Sequence, residues 1–234
     1  RLAFVAVVAA GLLLPASHAQ QVRPRASRGW VVPTNQLVTP AGRLLTFLGR
    51  PTDVLLLDHG RTCAVKNIES VVFVDLDEMA VDQEVATGEW SQGVVGLAAD
   101  DQGTVFSSGT GGRIWVNRRQ PDGCYALDVP LQLPPIAVGG DPAPTGLAYD
   151  RSSGSLLALS GRGNTLVRIR AATGEVVGAP IAVGVAPFAV VLAGSGKAYV
   201  SNWGGSPPAP SDPQAYTSDT AMKIDPTTGA SAEG

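Results

Sequence analysis

Short apolar runs recur along the chain, each separated from the next by a turn rich in Gly, Asp and Ser. Four of them open a repeating unit: VLLLD from Val54, GLAAD from Gly96, GLAYD from Gly146 and AVVLA from Ala189. Each opening is followed by a polar turn and a second apolar run, which is the pattern of a β-hairpin. The openings lie 42, 50 and 43 residues apart. Because helical repeats take about 33–34 residues and a four-stranded propeller blade about 40–45, this spacing predicts blades.

The unit that begins at Gly146 shows all four strands of a blade most clearly. Its third run, Thr165–Arg170, leads through a turn to a fourth predicted strand, Val176–Val183. Valine and isoleucine favour a pleated, half-buried strand over a helix. We therefore expect an all-β protein, a β-propeller of about seven blades when complete, present in this chain as an incomplete arc of about four to five blades.

The N-terminal segment has a different pattern. Leu2–Leu14 is an uncharged apolar run, preceded by Arg1 and followed by the small residues Ser17 and Ala19. The run is shorter than the roughly 20 residues that a membrane-spanning helix needs. It predicts a signal peptide over residues 1–19, and hence a periplasmic or extracellular protein with no membrane contact after cleavage. A short buried helix is the alternative interpretation.

Two further segments complete the predicted organisation. Residues 20–48 are expected to form a solvated leader with the first outer strand or strands. Residues 49–234 are expected to form the partial propeller, interrupted by the insert Ser206–Thr220, which is too rich in Pro, Ser and Asp to continue a strand. No third strand of the unit follows before Gly234. We therefore expect a propeller that is truncated at its C-terminus.

The net charge bears on the possible partners, and the two cysteines bear on a possible disulfide. The formal net charge is −3 and the basic residues are scattered, so nucleic acid is not an expected partner. Cys63 and Cys124 are the two cysteines. Export to an oxidising compartment would allow them to pair, whereas the apolar run around Cys63 equally suits a buried free thiol.

Residues for catalysis or metal binding are few. His18 lies in the predicted signal peptide, so a catalytic triad or a histidine-rich metal centre would depend on His59, which lies in a polar turn. Asp58, Asp100 and Asp150 recur at one repeat position, where the usual role is an Asx-turn and a calcium site is the alternative. The sequence thus predicts no cofactor and no metal in this chain.

Particular motifs resemble a known family. The units of form P-x-G-L-A-x-D, YVSN, TGEVV and VGVAP resemble the YVTN repeat of secreted bacterial β-propellers of the YncE-like kind, over roughly residues 49–205. VPTNQLVTPAG, VGVAPFAVVLAGSGKAYVSNWGG and KIDPTTGASAEG further resemble the propeller half of bifunctional proteins whose other half is a phosphoesterase of the alkaline-phosphatase superfamily. That family also interrupts its YVSNWGG blade with a long polar insert.

The resemblance implies an exported, non-catalytic binding or scaffold module, the N-terminal part of a longer phosphoesterase protein. Further blades and a metal-dependent domain are then expected beyond Gly234, and they would be partners of this arc. The family's catalytic residues have no counterpart in this chain, so none is assigned. A different function remains open, a lactonase-like hydrolase with its active site in the propeller channel.

Blade connectivity predicts where a ligand would bind. The loops between second and third strands share one face of a propeller with the crossovers between blades, and they include Lys66–Asn67, Thr110–Gly112, Arg162–Asn164 and Asn202–Gly205. Polar loop tips on a rigid scaffold commonly bind ligands. We expect an unidentified small molecule or protein to contact five residues on this face: Asp141, Arg162, Asn164, Asn202 and Trp203. Alternatively, Asn164 and Asn202 only close hairpins and Trp203 packs under the insert.

Overall fold

The structure, a computed structural model, describes residues 23–25, 29–31, 34, 36–39, 41–136, 140–217 and 220–223. The predicted signal peptide, residues 1–19, lies outside the described residues. The chain divides into two compact units, Arg1–Leu44 and Leu45–Gly234. The first unit contains three short antiparallel strands in the order β1-β2-β3: β1 (Arg23–Arg25), β2 (Gly29–Val31) and β3 (Leu37–Val38). The segment for which a leader and the first outer strand or strands were expected thus contains three short paired strands.

The second unit begins with three four-stranded antiparallel sheets, in which strands adjacent in sequence are adjacent in the sheet. Blade 1 consists of β4 (Asp53–Leu57), β5 (Thr62–Lys66), β6 (Ser70–Asp75) and β7 (Ala80–Ala86). Blade 2 consists of β8 (Gln92–Ala99), β9 (Val105–Gly109), β10 (Arg113–Arg119) and β11 (Tyr125–Gln132). Blade 3 consists of β12 (Pro144–Asp150), β13 (Ser155–Ser160), β14 (Thr165–Arg170) and β15 (Ile181–Ala182).

The fourth strand of blade 3 is shorter than the predicted run Val176–Val183. Only Ile181–Ala182 forms a strand, although Val176 makes an isolated bridge to Ile169. The backbone between them turns at Gly178, which has φ +74°. Pro180 follows, and it has no N–H to donate to a neighbouring strand. The valine content alone therefore overestimated the length of this strand, because Gly178 and Pro180 interrupt its hydrogen bonding to β14.

Blade 4 contains two paired strands, β16 (Pro187–Leu192) and β17 (Ala198–Asn202). Beyond it, β18 (Gln214–Thr217) pairs with β19 (Thr220–Lys223) in a separate two-stranded sheet. The expectation that no strand forms between residues 206 and 220 is therefore wrong for its last part. The prolines of the insert are confined to residues 207–213, whereas Ala-Tyr-Thr at residues 215–217 suits a pleated strand.

The core lies between successive blades. Between blades 1 and 2, Phe73 stacks on Tyr125 with ring centroids 3.7 Å apart, and buried Val71, Leu97 and Val105 join the same cluster. A second cluster joins blades 2 and 3 and includes fully buried Ile114, Leu156 and Ile169 with Phe106 and Leu147. Burial of apolar surface contributes roughly 25 cal/mol per Å². Each blade therefore depends on its neighbour for its stability, as the repeat predicts.

Glycines allow the inner strands β8, β12 and β16, the first strand of each blade, to lie side by side. A Cβ atom on Gly96 would overlap the backbone carbonyl oxygen of Thr145 in the next blade, and Gly96 has φ +117°. A Cβ on Gly146 would lie 2.7 Å from the Cα of Ala189 and 2.8 Å from the carbonyl oxygen of Phe188. The same backbone contact thus joins blade 2 to blade 3 and blade 3 to blade 4.

The two cysteines are not bonded to each other. Cys63 is buried in β5, and burial raises the pKa of its thiol. Cys124 is exposed in the turn before β11, and both are free thiols. Within the described part of the chain, no helix has the length and apolar character to cross a membrane.

Candidate functional site

The loops between second and third strands share a face with the crossovers between blades, as predicted. The N–H groups of Gly161 and Arg162 donate to the carbonyl oxygens of Ala143 and Pro142 at 3.0 and 3.2 Å. The N–H of Trp203 likewise donates to Ala186 at 3.0 Å. We call this surface the loop face, and it comprises loop residues 67–69, 110–112, 161–164 and 203–205 with crossover residues 87–91, 140–143 and 183–186.

Asp141 braces the crossover between blades 2 and 3. Its Oδ2 accepts a hydrogen bond from the Gly111 N–H at 2.9 Å, and its Oδ1 accepts one from the Ala143 N–H at 2.8 Å. Both oxygens of this half-buried carboxylate are therefore engaged with backbone. The residue fixes the position of one loop against the next crossover, which gives the loop face a defined shape.

Arg162 and Asn164 lie together at a cleft of 410 Å³ on the loop face. Asn164 adopts φ +52°, and its Oδ1 accepts from the Ala186 N–H at 3.0 Å, which ties the loop to the following crossover. Arg162 contributes the charge of the lining, and prolines contribute much of its apolar surface. The cleft is lined by Pro134, Pro135, Ile136, Ser160, Arg162, Gly163, Asn164, Thr165, Val167 and Pro180.

Asn202 and Trp203 do not line this cleft. Trp203 is 69% exposed and stacks on Phe188, with ring centroids 4.3 Å apart and planes 19° apart. The Asn202 side chain donates weakly to the Val200 carbonyl at 3.5 Å, and its Oδ1 is buried without a hydrogen-bond partner among the described residues. The five predicted residues are therefore not in one place. Arg162 and Asn164 line the cleft, Asp141 holds a loop against the neighbouring crossover, and Asn202 and Trp203 lie on blade 4.

Lys66 was expected on the loop face as part of Lys66–Asn67, and that expectation is wrong. Its side chain is fully buried, and its ammonium group donates to Ser108 Oγ at 2.8 Å, to the Ser108 carbonyl and to the Gly96 carbonyl at 3.4 Å. Three acceptors match the three donors of an ammonium group. Lys66 therefore crosses from blade 1 into blade 2 and joins them.

The pKa of Lys66 at this junction of blades 1 and 2 reflects the burial of its ammonium group. Removal from water lowers the pKa of Lys66 to about 7, and the Asp53 carboxylate opposes that shift. Asp53 also reaches across the junction, since its Oδ2 accepts from the Gly96 N–H at 2.8 Å. Asn67 is buried as well and holds the preceding segment, because its Oδ1 accepts from the Arg50 N–H at 2.6 Å and its amide donates to the Leu48 carbonyl at 3.0 Å.

The recurring aspartates lie in turns at the ends of the inner strands. Asp100 Oδ1 accepts from the N–H groups of Gln102 and Thr104, and Asp150 Oδ1 accepts from the Ser152 N–H, which confirms two Asx-turns. Asp58 differs, because its carboxylate pairs with Arg119 at 2.8 Å. Within the described ranges, no group of three or more His, Cys, Asp or Glu side chains is placed to hold a metal ion.

Comparisons with known proteins bear on the fold. No protein-family model matches the chain, and no curated protein sequence matches it. The structure is similar to virginiamycin B lyase from Staphylococcus aureus, with a TM-score of 0.55 and 13% identity over 75% of this chain and 56% of that one. A streptogramin B lyase gives a TM-score of 0.54 and 16% identity over 75% of this chain and 55% of that one. The fold is a β-propeller.

The propeller is also similar to hydrazine synthase from Kuenenia stuttgartiensis, with a TM-score of 0.53 and 18% identity over 82% of this chain and 51% of that one. The chain thus spans about half the length of these structures. Identities this low establish the fold and no activity. The predicted all-β propeller class is confirmed, whereas the YncE-like family, export and the phosphoesterase partner stay predictions.

Proposed function

We propose that this propeller is the binding module of an exported protein, and that it holds its ligand in the cleft at Arg162 and Asn164. The carrying observation is the cleft itself, a 410 Å³ concavity on the face where the loops of a propeller converge. Binding pockets are typically concave, largely apolar and equipped with a few polar groups that orient the ligand. This lining has that composition.

The lining indicates the chemistry of the ligand. Pro134, Pro135 and Pro180 form rigid apolar walls that need little ordering on binding. Arg162 supplies a guanidinium group, which suits a carboxylate or a phosphate. Because Asn164 Oδ1 is held by the Ala186 N–H, the loop that carries both residues is already positioned. The ligand we propose is a small molecule or peptide end that combines an apolar body with one anionic group.

Two simple probes test this function, phenyl phosphate and phenylacetate, each titrated into the protein by calorimetry. We expect saturable binding of at least one probe, and a dissociation constant at least about ten-fold higher for Arg162→Gln, which corresponds to about 1.4 kcal/mol. Arg168→Gln is the matched control, because Arg168 is an exposed arginine of β14 in the same blade and lies outside the cleft lining.

Equal binding of a probe by Arg162→Gln and the parent protein would contradict the proposed site. Failure of both probes to bind at millimolar concentration would contradict the proposed ligand chemistry. Unfolding temperatures of the two variants within a few degrees of the parent value ensure that binding, and not folding, is compared.

The wider role that we propose for the module rests on the sequence motifs. The YVSN-type units and the insert support a scaffold that precedes a phosphoesterase domain in a longer exported protein. The reading frame beyond Gly234 tests the fusion, since clustered Asp and His with a Ser or Thr nucleophile would support it and a stop codon soon after would contradict it. Mass spectrometry of the protein from the periplasmic fraction tests export, with a mature N-terminus at Gln20 expected.

A hydrolase with its active site in the channel is the second candidate. The observation in its favour is that two propellers of similar structure are named as enzymes, a virginiamycin B lyase and a streptogramin B lyase, which supports catalysis on such a fold but not hydrolysis in particular. It predicts turnover of simple lactones by the chain, measured as acid release at constant pH. The binding module predicts no turnover above the buffer rate.

A further inference from the structure

A second concavity lies on the loop face, at the crossover between blades 1 and 2. It has a volume of 190 Å³ and is open to solvent on one side. It shares no residue with the cleft at Arg162 and Asn164, so a test of one site does not depend on the result for the other. We call it the Trp90 pocket, and it is lined by Arg50, Thr52, Ile68, Trp90, Gln92, Gly93 and Val94.

Trp90 departs from what the other blades carry at the same repeat position. The carbonyl of Ser91 accepts the N–H of the residue that follows β9, as the carbonyls of Ala143 and Ala186 do for the next two blades. The residues that precede these three acceptors are therefore equivalent: Trp90, Pro142 and Val185. Pro142 and Val185 are buried, whereas Trp90 is 65% exposed.

The backbone at Trp90 is left-handed. Its φ is +50°, a region that large side chains rarely occupy. Ala143 and Ala186 in the next two crossovers have φ +49° and +51°, so a left-handed residue is common to these crossovers and the exposed indole is what distinguishes Trp90. Trp90 thus offers an aromatic surface at the mouth of the pocket, available for stacking.

Gln92 lines the pocket and has an unpaired hydrogen-bond acceptor beneath the pocket surface. The side chain is only 7% exposed, and its Nε2 donates to Thr87 Oγ1 at 3.1 Å. Its Oε1 is buried and has no hydrogen-bond partner among the described residues. A buried acceptor without a donor destabilises the folded protein. A ligand that supplies an O–H or N–H group at this position would remove that destabilisation.

We propose that the Trp90 pocket binds one pyranose ring, either as a free sugar or as the terminal residue of a glycan. A pyranose has an apolar C–H face, which suits the Trp90 indole, and a rim of hydroxyl groups that both donate and accept. One hydroxyl donates to Gln92 Oε1 after the buried amide turns toward the pocket, and others accept from the Arg50 guanidinium. The volume accommodates a single ring, and the open side lets a glycan continue into solvent.

Sugar titrations followed by saturation-transfer difference NMR and calorimetry test this site. The probes are methyl β-D-glucopyranoside, methyl N-acetyl-β-D-glucosaminide and the β-1,4-linked trimer of each sugar. We expect one monosaccharide to bind, with saturation transfer strongest to the protons of one ring face. Tighter binding of its trimer would identify a glycan end as the occupant, and equal binding would identify the free sugar.

Trp90→Gly is the decisive variant, because glycine accepts φ +50° without strain. The protein should remain as stable as the parent or become slightly more stable, while sugar binding weakens at least ten-fold. Tyr199→Ala is the matched control, since Tyr199 is an exposed aromatic residue of β17 outside the pocket. Unchanged sugar binding by Trp90→Gly would overturn the proposal. So would the absence of binding by all four probes at 10 mM.

Discussion

Neighbouring blades are joined in two different ways in this molecule. At the junctions of blade 2 with blade 3 and of blade 3 with blade 4, a glycine of the inner strand lies against the backbone of the next inner strand, Gly96 and Gly146 respectively. The equivalent position in blade 1 is Val54, whose side chain is exposed. There the junction with blade 2 is made by side chains, the Lys66 ammonium and the Asp53 carboxylate, which bond to the backbone around Gly96.

The difference shows that one repeat geometry can be held by backbone contact or by buried charge. Backbone contact against a glycine has no titrating group and depends on the absence of one Cβ atom. A buried ammonium group must lose its water, and it is tolerated because three acceptors replace that water. The lowered pKa of Lys66 reflects the part of the desolvation free energy that these hydrogen bonds do not offset. The two junction types should therefore respond differently to added volume, to loss of charge and to pH.

Gly96→Ala should have the largest effect. The new Cβ would overlap the Thr145 carbonyl, and φ +117° is unfavourable for alanine, so packing and backbone strain add. We expect the free energy of unfolding to fall by about 3–5 kcal/mol, measured by urea denaturation. Gly194→Ala is the control, because a Cβ at Gly194 meets no atom within 4 Å. Equal, small losses for both variants would show that close backbone contact does not join blades 2 and 3.

Lys66→Met should have the next largest effect. Methionine fills a similar volume without charge, but it leaves the Ser108 and Gly96 carbonyls without the ammonium donor. We expect a loss of about 2 kcal/mol at pH 7, smaller than for a truncation to alanine, which would also leave a cavity. Lys197→Met provides the control, since Lys197 is exposed in the turn before β17. A more stable Lys66→Met protein would mean that desolvation of the ammonium group outweighs its hydrogen bonds.

Lys66→Met also tests whether the junction of blades 1 and 2 makes the free energy of unfolding depend on pH, as the glycine junctions should not. The pKa of Lys66 is about 7 in the folded protein and 10.5 in the unfolded chain, so above pH 7 the unfolded chain binds more protons. The free energy of unfolding should then rise with pH, by at most about 1.4 kcal/mol per unit. Between pH 7 and about 8.5, below the range in which thiols of the unfolded chain lose their protons, the difference between parent and Lys66→Met measures this slope. A difference that stays constant with pH would show that Lys66 keeps its proton throughout.

Sequence patterns predicted the strands of the fold better than they predicted the contacts that join neighbouring blades. The run Thr165–Arg170 matches β14 residue for residue, because a strand signal depends on local alternation and a nearby turn. Lys66 follows the apolar run Cys63–Val65, and a lysine in that place is usually a solvated strand end. Its burial depends on Ser108, which lies in another blade. No local pattern reports such a partner.

The predicted site shows the same limit. Arg162 and Asn164 lie on the loop face as expected, because loop connectivity alone determines which turns share a face, and their contact with a ligand stays a prediction. Trp90 and Gln92 were missed, since their importance depends on an exposed indole and an unpaired amide oxygen. One signal was present in the sequence. The crossovers into blades 3 and 4 read Pro-Ala-Pro and Val-Ala-Pro, and a tryptophan breaks that pattern only in the crossover into blade 2.

Thr145→Val should have the smallest effect, and it tests how much side chains add at a glycine junction. Thr145 Oγ1 donates to the Pro187 carbonyl at 2.8 Å, which joins blade 3 to blade 4 beside the Gly146 contact. Valine keeps the shape and removes the donor, so we expect a loss of about 1 kcal/mol with no dependence on pH between 6 and about 8.5. Thr173→Val, in an exposed turn, should change stability by less than about 0.5 kcal/mol. A loss as large as that of Lys66→Met would mean that side-chain hydrogen bonds, and not glycine contacts, hold both kinds of junction.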